Sequence, residues 1–263
     1  MNYQPVFPQT AARIEQWKAR DEVLGVIHVG SKSHGHGDEL SDDDLEVVLT
    51  DESFARLAPK EISELLIEGE GKTRKMIYYT EFISLGYLAL KPQSTHDLDH
   101  WPYERGVVLF DRDGQVGSIV HAVGKMSADF RHARLLHGTI DAAFPPRRAL
   151  KTRRRGFEGA VTMLVAHGAK AMSRLLFALE WHWVPLDHWL EAELQTLDDP
   201  TRAVPMVIDA LKRNDPQPLI DALKGLEDRL ADEGVPRSDQ WNELFLELIH
   251  PARAAERAIH GLD

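Results

Sequence analysis

The chain has no cysteine among its 263 residues. This absence excludes disulfide bonds, thiolate metal sites and cysteine nucleophiles. The sequence also lacks an apolar run near the roughly 18–20 residues that a membrane-spanning helix needs. At its N-terminus, no basic segment precedes an apolar one, so we expect neither a signal peptide nor a membrane anchor. Together these absences favour a cytoplasmic protein.

The sequence also contains fewer basic than acidic residues. The chain carries 31 Lys and Arg residues against 42 Asp and Glu residues, for a formal net charge of -11. Such a balance argues against general binding to nucleic acid and favours small neutral or cationic partners. The hydrophobic content of 43 % is ordinary for a globular protein, and the length allows one large or two modest domains.

The N-terminal part alternates helical and strand-like periods. Helices are predicted at 9–20 and 52–67, where apolar residues recur at helical spacing. Strands are predicted where β-branched and aromatic residues cluster, namely at 23–29, 43–49, 74–83 and 106–110. This alternation predicts a sheet with helices packed against it.

After about residue 115 the strand signals vanish. Helical spacing is found at 118–142, 146–182, 186–197, 201–213, 217–233 and 239–261. Prolines, including Pro145-Pro146, are predicted to break this part of the chain. The predicted fold class is α+β, with an α/β-type N-terminal mixed sheet and flanking helices in residues 1–115. A C-terminal all-α bundle is predicted for residues 116–263.

The first candidate site feature is the end of the apolar run 23–29 at Gly30-Ser31. A strand that turns there presents backbone N–H groups to an anion, and glycine permits close approach of a phosphate. The Ser31 hydroxyl can donate a further hydrogen bond. Lys32 follows directly and is a candidate contact for the same phosphate.

The second feature is a group of alternating carboxylates at Asp42, Asp44 and Glu46. Side chains two residues apart in a strand point to the same face. Carboxylates on one face repel each other unless cations lie between them, and Mg²⁺ usually takes one or two carboxylates plus substrate phosphates. A phosphate-binding turn followed by these carboxylates favours a metal-dependent enzyme acting on a nucleotide.

These two stretches, Val29-Gly30-Ser31 and Ser41-Asp42-Asp43-Asp44-Leu45-Glu46-Val47-Val48, resemble the signature of the nucleotidyltransferase superfamily typified by DNA polymerase β. Asp43 departs from the apolar residue usual in that signature, and so a second alignment, on Asp44 and Glu46, is also possible. The metal pair is therefore Asp42 with Asp44, which we prefer, or Asp44 with Glu46. The helical half, including the stretch 175–190, is similar to small-molecule, aminoglycoside-type members.

The resemblance implies transfer of a nucleoside monophosphate, AMP being our choice, from a Mg²⁺-bound NTP such as ATP to an acceptor hydroxyl, with release of pyrophosphate. It implies catalytic roles for Asp42 and Asp44, and Glu81 is the candidate third carboxylate. The acceptor would be a small molecule or a protein. The alternative is a non-catalytic nucleotide-binding or antitoxin-like interaction module, although the intact carboxylates count against it.

Lys170 and Arg174 are the remaining candidates, one helical turn apart in a stretch that reads as apolar on nearly all sides. Polar groups in such a helix need partners. Lys170 is therefore a candidate contact for the triphosphate. The alternatives are an ion pair within the bundle, or a lysine whose ammonium extends to solvent.

Overall fold

The computed structural model describes residues 3–260. It divides into two compact units, the first ending at Lys125 and the second beginning at Met126. The predicted α+β class is confirmed, because a mixed sheet with flanking helices precedes a helical region. None of the described helices is both long enough and apolar enough to cross a membrane.

The first unit is built on a five-stranded sheet. Its strands are β1 (Val23–Val29), β2 (Asp43–Leu49), β3 (Ser63–Glu68), β4 (Lys75–Ser84) and β5 (Val107–Asp111). Their order across the sheet is β3-β4-β2-β1-β5. Strands β2 and β4 are parallel, while β1 pairs antiparallel with both β2 and β5, and β3 pairs antiparallel with β4.

The α-helices described in this unit are α1 (Pro8–Lys18), α2 (Gly30–Ser33), α3 (Asp51–Phe54), α4 (Leu85–Leu90), α5 (Trp101–Glu104) and α6 (Gln115–Gly124). The predicted boundary at 115/116 falls within α6, directly after its first residue. That helix buries Val116, Val120 and Val123 in the core of the first unit. The first unit therefore extends through α6 to Lys125.

The helix predicted at 52–67 is wrong over most of its length. Only Asp51–Phe54 is α-helical; the Thr50 hydroxyl accepts a hydrogen bond from the Ser53 N–H at its start. Residues 63–68 instead form β3, which lies along β4 at the edge of the sheet, with Leu65 opposite Tyr79. A distant strand supplies these hydrogen bonds, so the local apolar spacing does not decide the conformation.

The two faces of the sheet have separate cores. On one face, Ile14 and Trp17 of α1 pack with Leu45 and Val47 of β2. On the other face, Val48 of β2 packs in a core shared with α4, α5 and α6. Successive residues of β2 therefore point to opposite sides of the sheet, and this alternation also separates the carboxylates of the candidate site.

The second unit is helical throughout its described elements. These are α7 (Ala128–Arg154), α8 (Glu158–Leu179), α9 (Leu190–Leu194), α10 (Ala203–Arg213), α11 (Gln217–Gly225), α12 (Glu227–Asp232), α13 (Trp241–Leu248) and α14 (Ala254–His260). Its core is formed largely by α7 and α8, and it includes Leu135, Ile140, Met172 and Leu175. Residue 261, the end of the last predicted helix, lies outside the described residues.

The predicted break at Pro145-Pro146 is wrong, because both prolines lie inside α7. Each proline removes one backbone hydrogen bond from the helix, but both are buried, and Pro146 lies directly against Gly168 of α8. The continuous helix predicted at 118–142 is also interrupted. A new helix begins at Ala128, where the Ser127 hydroxyl accepts a hydrogen bond from the Phe130 N–H.

Gly168 tests the close contact between α7 and α8. A Cβ at this position would lie 2.9 Å from Cγ of Pro146, a rigid ring atom. We expect Gly168→Ala to lower the free energy of unfolding by about 1–3 kcal/mol through overpacking. The matched control is Gly159→Ala on the same helix, where nothing lies within 4 Å. This change should stabilise by up to about 1 kcal/mol. Urea denaturation of both variants measures the difference in their free energies of unfolding. Equal changes at positions 159 and 168 would contradict the close contact between Gly168 and Pro146.

Candidate active site

The two sequence features that suggested a nucleotide site lie side by side in the fold. Because β1 and β2 are antiparallel, Val29 at the end of β1 is paired with Asp44 near the start of β2. Gly30 follows with φ +76°, and a Cβ placed on it would lie 2.1 Å from Oδ2 of Asp44. Only glycine permits both this backbone conformation and this approach. The turn after β1 therefore lies directly against the Asp44 carboxylate.

Ser31 is positioned by the same turn. It is buried in the one-turn helix α2, and its backbone oxygen accepts a hydrogen bond from the His36 N–H at 2.9 Å. Its hydroxyl makes no hydrogen bond to another residue in the part of the chain that the structure describes. The Ser31 hydroxyl thus remains available to a ligand at the turn.

Asp42, Asp44 and Glu81 form the acidic part of the site. In the parallel pair β2–β4, Asp44 lies opposite Tyr79, and Glu46 lies opposite Glu81. Glu81 is therefore on the neighbouring strand and on the same face as Asp44. The Tyr79 hydroxyl donates a hydrogen bond to Oε1 of Glu81 at 3.1 Å. These contacts place an exposed carboxylate diagonally across from Asp44.

The Asp44 carboxylate is buried close to other negatively charged carboxylates. Burial, and then repulsion by the neighbouring carboxylates of Asp42, Asp43 and Glu81, raises the pKa of Asp44 to about 6. The charged form is thus held in the fold at a free-energy cost. A hard divalent cation bound to these oxygens would remove that cost, so the donor set suits Mg²⁺.

Glu46 does not share this role. Its carboxylate accepts a hydrogen bond from the Tyr103 hydroxyl, and its Oε1 lies 3.8 Å from Nζ of Lys91. Burial raises the pKa of Glu46 despite these two partners. Glu46 therefore already has Tyr103 and Lys91 as partners, and its place among the metal ligands remains a prediction. Asp42 with Asp44 remains the preferred pair, and the choice between the two pairs stays a prediction.

Lys32 has a partner within the fold, and its predicted contact with a phosphate remains a prediction. Its side chain is only 6 % exposed, and Nζ lies 2.7 Å from Oδ1 of Asp43. Asp43 is fully buried and points to the face of the sheet opposite Asp44, as strand alternation requires. The Lys32 ammonium is thus paired behind the carboxylates and does not extend from the turn toward a phosphate.

The comparisons with known proteins add little to this geometry. No protein-family model matches the chain, and no curated protein matches it. One solved structure that resembles it is a nucleotidyltransferase-like protein from Exiguobacterium sibiricum 255-15, at 15 % identity. The match covers 95 % of this chain and 86 % of the other, with a TM-score of 0.44. A similarity this distant carries no functional argument, so a function has to be inferred from the side chains of the site.

Lys170 belongs to the second unit. Its ammonium pairs with the carboxylate of Asp187 at 2.8 Å, and both side chains are largely exposed. Although the sequence of α8 is apolar on nearly all sides, the helix is not buried all round, since it has an exposed face that carries Lys170. The ion pair corresponds to one of the alternatives considered for Lys170, and the contact with a triphosphate remains a prediction.

The histidines near the turn do not form a metal site. His28 is buried, with Nε2 3.9 Å from Oδ1 of Asp43, while the ring of His34 packs on Trp101 at 4.2 Å between centroids. Among residues 3–260, no three His, Asp or Glu side chains converge as a ready-made metal site. A metal held by Asp42 and Asp44 would take its other ligands from substrate and water, as Mg²⁺ commonly does.

Sequence reasoning missed three residues that shape this face: Tyr79, Lys91 and Tyr103. Tyr79 was within reach, because it precedes Glu81 by two residues in a predicted strand and so shares its face. Lys91 and Tyr103 come from segments outside the predicted strands and reach Glu46 only through the tertiary fold. No local pattern in the sequence points to them.

Gly30 is the residue that this geometry constrains most. We expect Gly30→Ala to lower the free energy of unfolding by at least about 2 kcal/mol more than Gly156→Ala, because only at position 30 would the added methyl group meet a carboxylate. Gly156 is a matched control, with φ +79° and nothing within 4 Å of a Cβ placed on it. Equal losses in urea denaturation would mean that backbone strain alone, and not the contact with Asp44, sets the requirement for glycine.

Asp44→Asn should stabilise the metal-free protein. Because the folded pKa of about 6 exceeds the ordinary value of 3.8, ionised Asp44 destabilises the fold above pH 6, and the penalty disappears below about pH 4. We expect a gain of about 1–3 kcal/mol at pH 8 that vanishes at pH 3.5. Denaturant unfolding of the variant and the wild type at pH 8 and at pH 3.5, with EDTA present, measures this gain in the free energy of unfolding. A gain of the same size at both pH values, or none at pH 8, would contradict this origin.

Proposed function

We propose that the protein is a Mg²⁺-dependent nucleotidyltransferase that transfers AMP from ATP, or NMP from another NTP, to an acceptor hydroxyl. The supporting observation is the contact between Gly30 and the Asp44 carboxylate, with the charge of Asp42 close enough to repel Asp44 and with Glu81 on the next strand. A turn that can hold phosphate oxygens and a cluster that can hold divalent metal thus adjoin each other. Transfer of a phosphoryl-linked group requires both at this distance.

The turn after β1 would bind the phosphate chain of the nucleotide. Gly30 leaves its backbone uncovered by a side chain, so a phosphate oxygen can approach closely. The Ser31 hydroxyl, which has no hydrogen-bond partner among the described residues, would donate to a phosphate oxygen. Lys32 has no part in this binding, because its ammonium is paired with Asp43.

Asp42 and Asp44 would hold the metal. Bound Mg²⁺ supplies positive charge that offsets the charge of the triphosphate and polarises its oxygens. The two aspartates carry the negative charge that this ion requires, and Gly30 keeps the phosphate turn within reach of them. The residues of this chain thus provide position and charge, the main contributions in phosphoryl-transfer enzymes.

Glu81 is the base in this proposal. Its carboxylate is exposed, held by the Tyr79 hydroxyl, and lies on the same face as Asp44. The acceptor oxygen forms a bond to the α-phosphorus and its proton passes to Glu81, while the bond from that phosphorus to the bridging oxygen breaks and pyrophosphate leaves. An acidic cluster of this kind favours an acceptor that carries positive charge, either a small polycation or a basic segment of a protein.

A titration with ATP and MgCl₂ tests the proposal. We expect Asp42→Asn and Asp44→Asn each to weaken binding of Mg·ATP by at least about tenfold, since each removes a charged ligand. Glu39→Gln, an exposed carboxylate in the loop before β2, is the matched control and should stay within about twofold of the wild type. Calorimetry measures binding, and pyrophosphate release with cationic acceptors measures turnover.

The outcomes separate the candidate functions. The proposed site would be overturned if the wild type did not bind Mg·NTP. It would also be overturned if both asparagine variants bound Mg·NTP as tightly as the wild type does. Binding that depends on Asp42 and Asp44 without pyrophosphate release from any acceptor would favour the non-catalytic nucleotide-binding module. Pyrophosphate release that requires both aspartates, and that is slower in the Glu81→Gln variant, supports the nucleotidyltransferase.

A further inference from the structure

A buried ion pair lies directly behind the candidate active site. Nζ of Lys32 is 2.7 Å from Oδ1 of Asp43, and the two side chains are 6 % and 0 % exposed. Lys32 is the residue after Ser31 in the phosphate turn, and Asp43 stands between the proposed metal ligands Asp42 and Asp44. The pair therefore joins the two halves of the site through residues that do not face it.

The N-terminal segment encloses this pair. The Phe7 N–H donates to Oδ2 of Asp43 at 2.9 Å, so each carboxylate oxygen of Asp43 has its own donor. The Lys32 ammonium lies over the Phe7 ring, 3.2 Å from its centroid. Gln4 binds the turn at two further points, with its N–H on the Lys32 carbonyl at 3.2 Å and its side-chain Nε2 on the Gly37 carbonyl at 2.8 Å.

Stability alone is a poor explanation for such a pair. Removing two charges from water costs about as much free energy as their attraction returns, and well-packed apolar residues often stabilise a core as well or better. A buried ion pair with directed hydrogen bonds differs from an apolar contact in that it fixes one distance and one orientation. The position of this pair shows which distance is fixed, namely the one between the turn at Gly30-Ser31 and the start of β2.

We propose that Lys32 and Asp43 are positioning residues, which hold the phosphate turn at the separation from Asp42 and Asp44 that Mg·NTP binding requires. The inference rests on the proposed function and extends it to residues that touch neither metal nor nucleotide. Small displacements matter in such sites, since a shift of about 1 Å can cost roughly a hundredfold in rate.

The test compares variants that remove the pair without leaving a buried charge. Lys32→Met combined with Asp43→Asn removes both charges, and the introduced asparagine retains an oxygen that can accept from the Phe7 N–H. The control is Lys18→Met with Glu15→Gln, which removes an ion pair on the surface of α1 in the same unit. Thermal unfolding reports on the fold, and calorimetry with ATP and MgCl₂ reports on the site.

We expect the double variant to fold and to bind Mg·ATP at least about tenfold more weakly than the wild type. The control pair should stay within about twofold, and Lys32→Arg with Asp43 intact should recover part of the loss because it restores the charge. A folded double variant that binds Mg·ATP as the wild type does would overturn the inference, as would an equal loss in the control pair.

Phe7→Leu provides a second test should the double variant fail to fold. It keeps apolar volume and the ion pair but removes the ring under the ammonium, a change expected to weaken Mg·ATP binding about two- to fivefold. Unchanged binding in this variant would overturn the inference. A wild type that does not bind Mg·ATP would overturn the proposed function and this inference together, whereas normal wild-type binding with unaffected variants would overturn only the positioning role.

Discussion

The candidate site depends on one close approach, that of the Gly30 backbone to the carboxylate of Asp44. The antiparallel pairing of β1 and β2 produces it, since the end of one strand lies beside the start of the other. If β1 and β2 were joined in parallel, these ends would lie a full strand length apart. The connection between the two strands thus brings a phosphate-binding turn to a carboxylate, and only glycine can occupy that point.

The carboxylates between Asp42 and Glu46 illustrate how one strand assigns different roles to similar residues. Alternation sends Asp43 to one face of the sheet and Asp44 to the other. Depth in the sheet then separates Asp44 from Glu46, because only Glu46 reaches Tyr103 and Lys91. Four acidic residues in a row of five therefore comprise two candidate metal ligands, one partner of a buried lysine and one buried hydrogen-bond acceptor.

Sequence patterns predicted best where a local signal agreed with the tertiary environment. The strands at 23–29 and 43–49 have the predicted bounds, because both are buried or half-buried along their length and each contains apolar residues that pack in the core. The predictions for β3 and for Pro145-Pro146 were wrong where partners distant in the chain outweighed the local pattern. An edge strand is made by its neighbour β4, and the prolines of α7 are held by burial against α8.

The sequence by itself determined the chemical character of this protein. Gly30-Ser31 after a strand, and carboxylates at alternating positions entering the next, are local patterns that limit what the site can bind. The tertiary structure alone decided which of these side chains act together. Lys32 and Glu46 fitted the local pattern as well as Ser31 and Asp44 did, but Asp43 and Tyr103 engage them in the fold. The physical reason is that a charged side chain in a core needs an ion-pair or hydrogen-bond partner, and long-range packing decides where that partner lies.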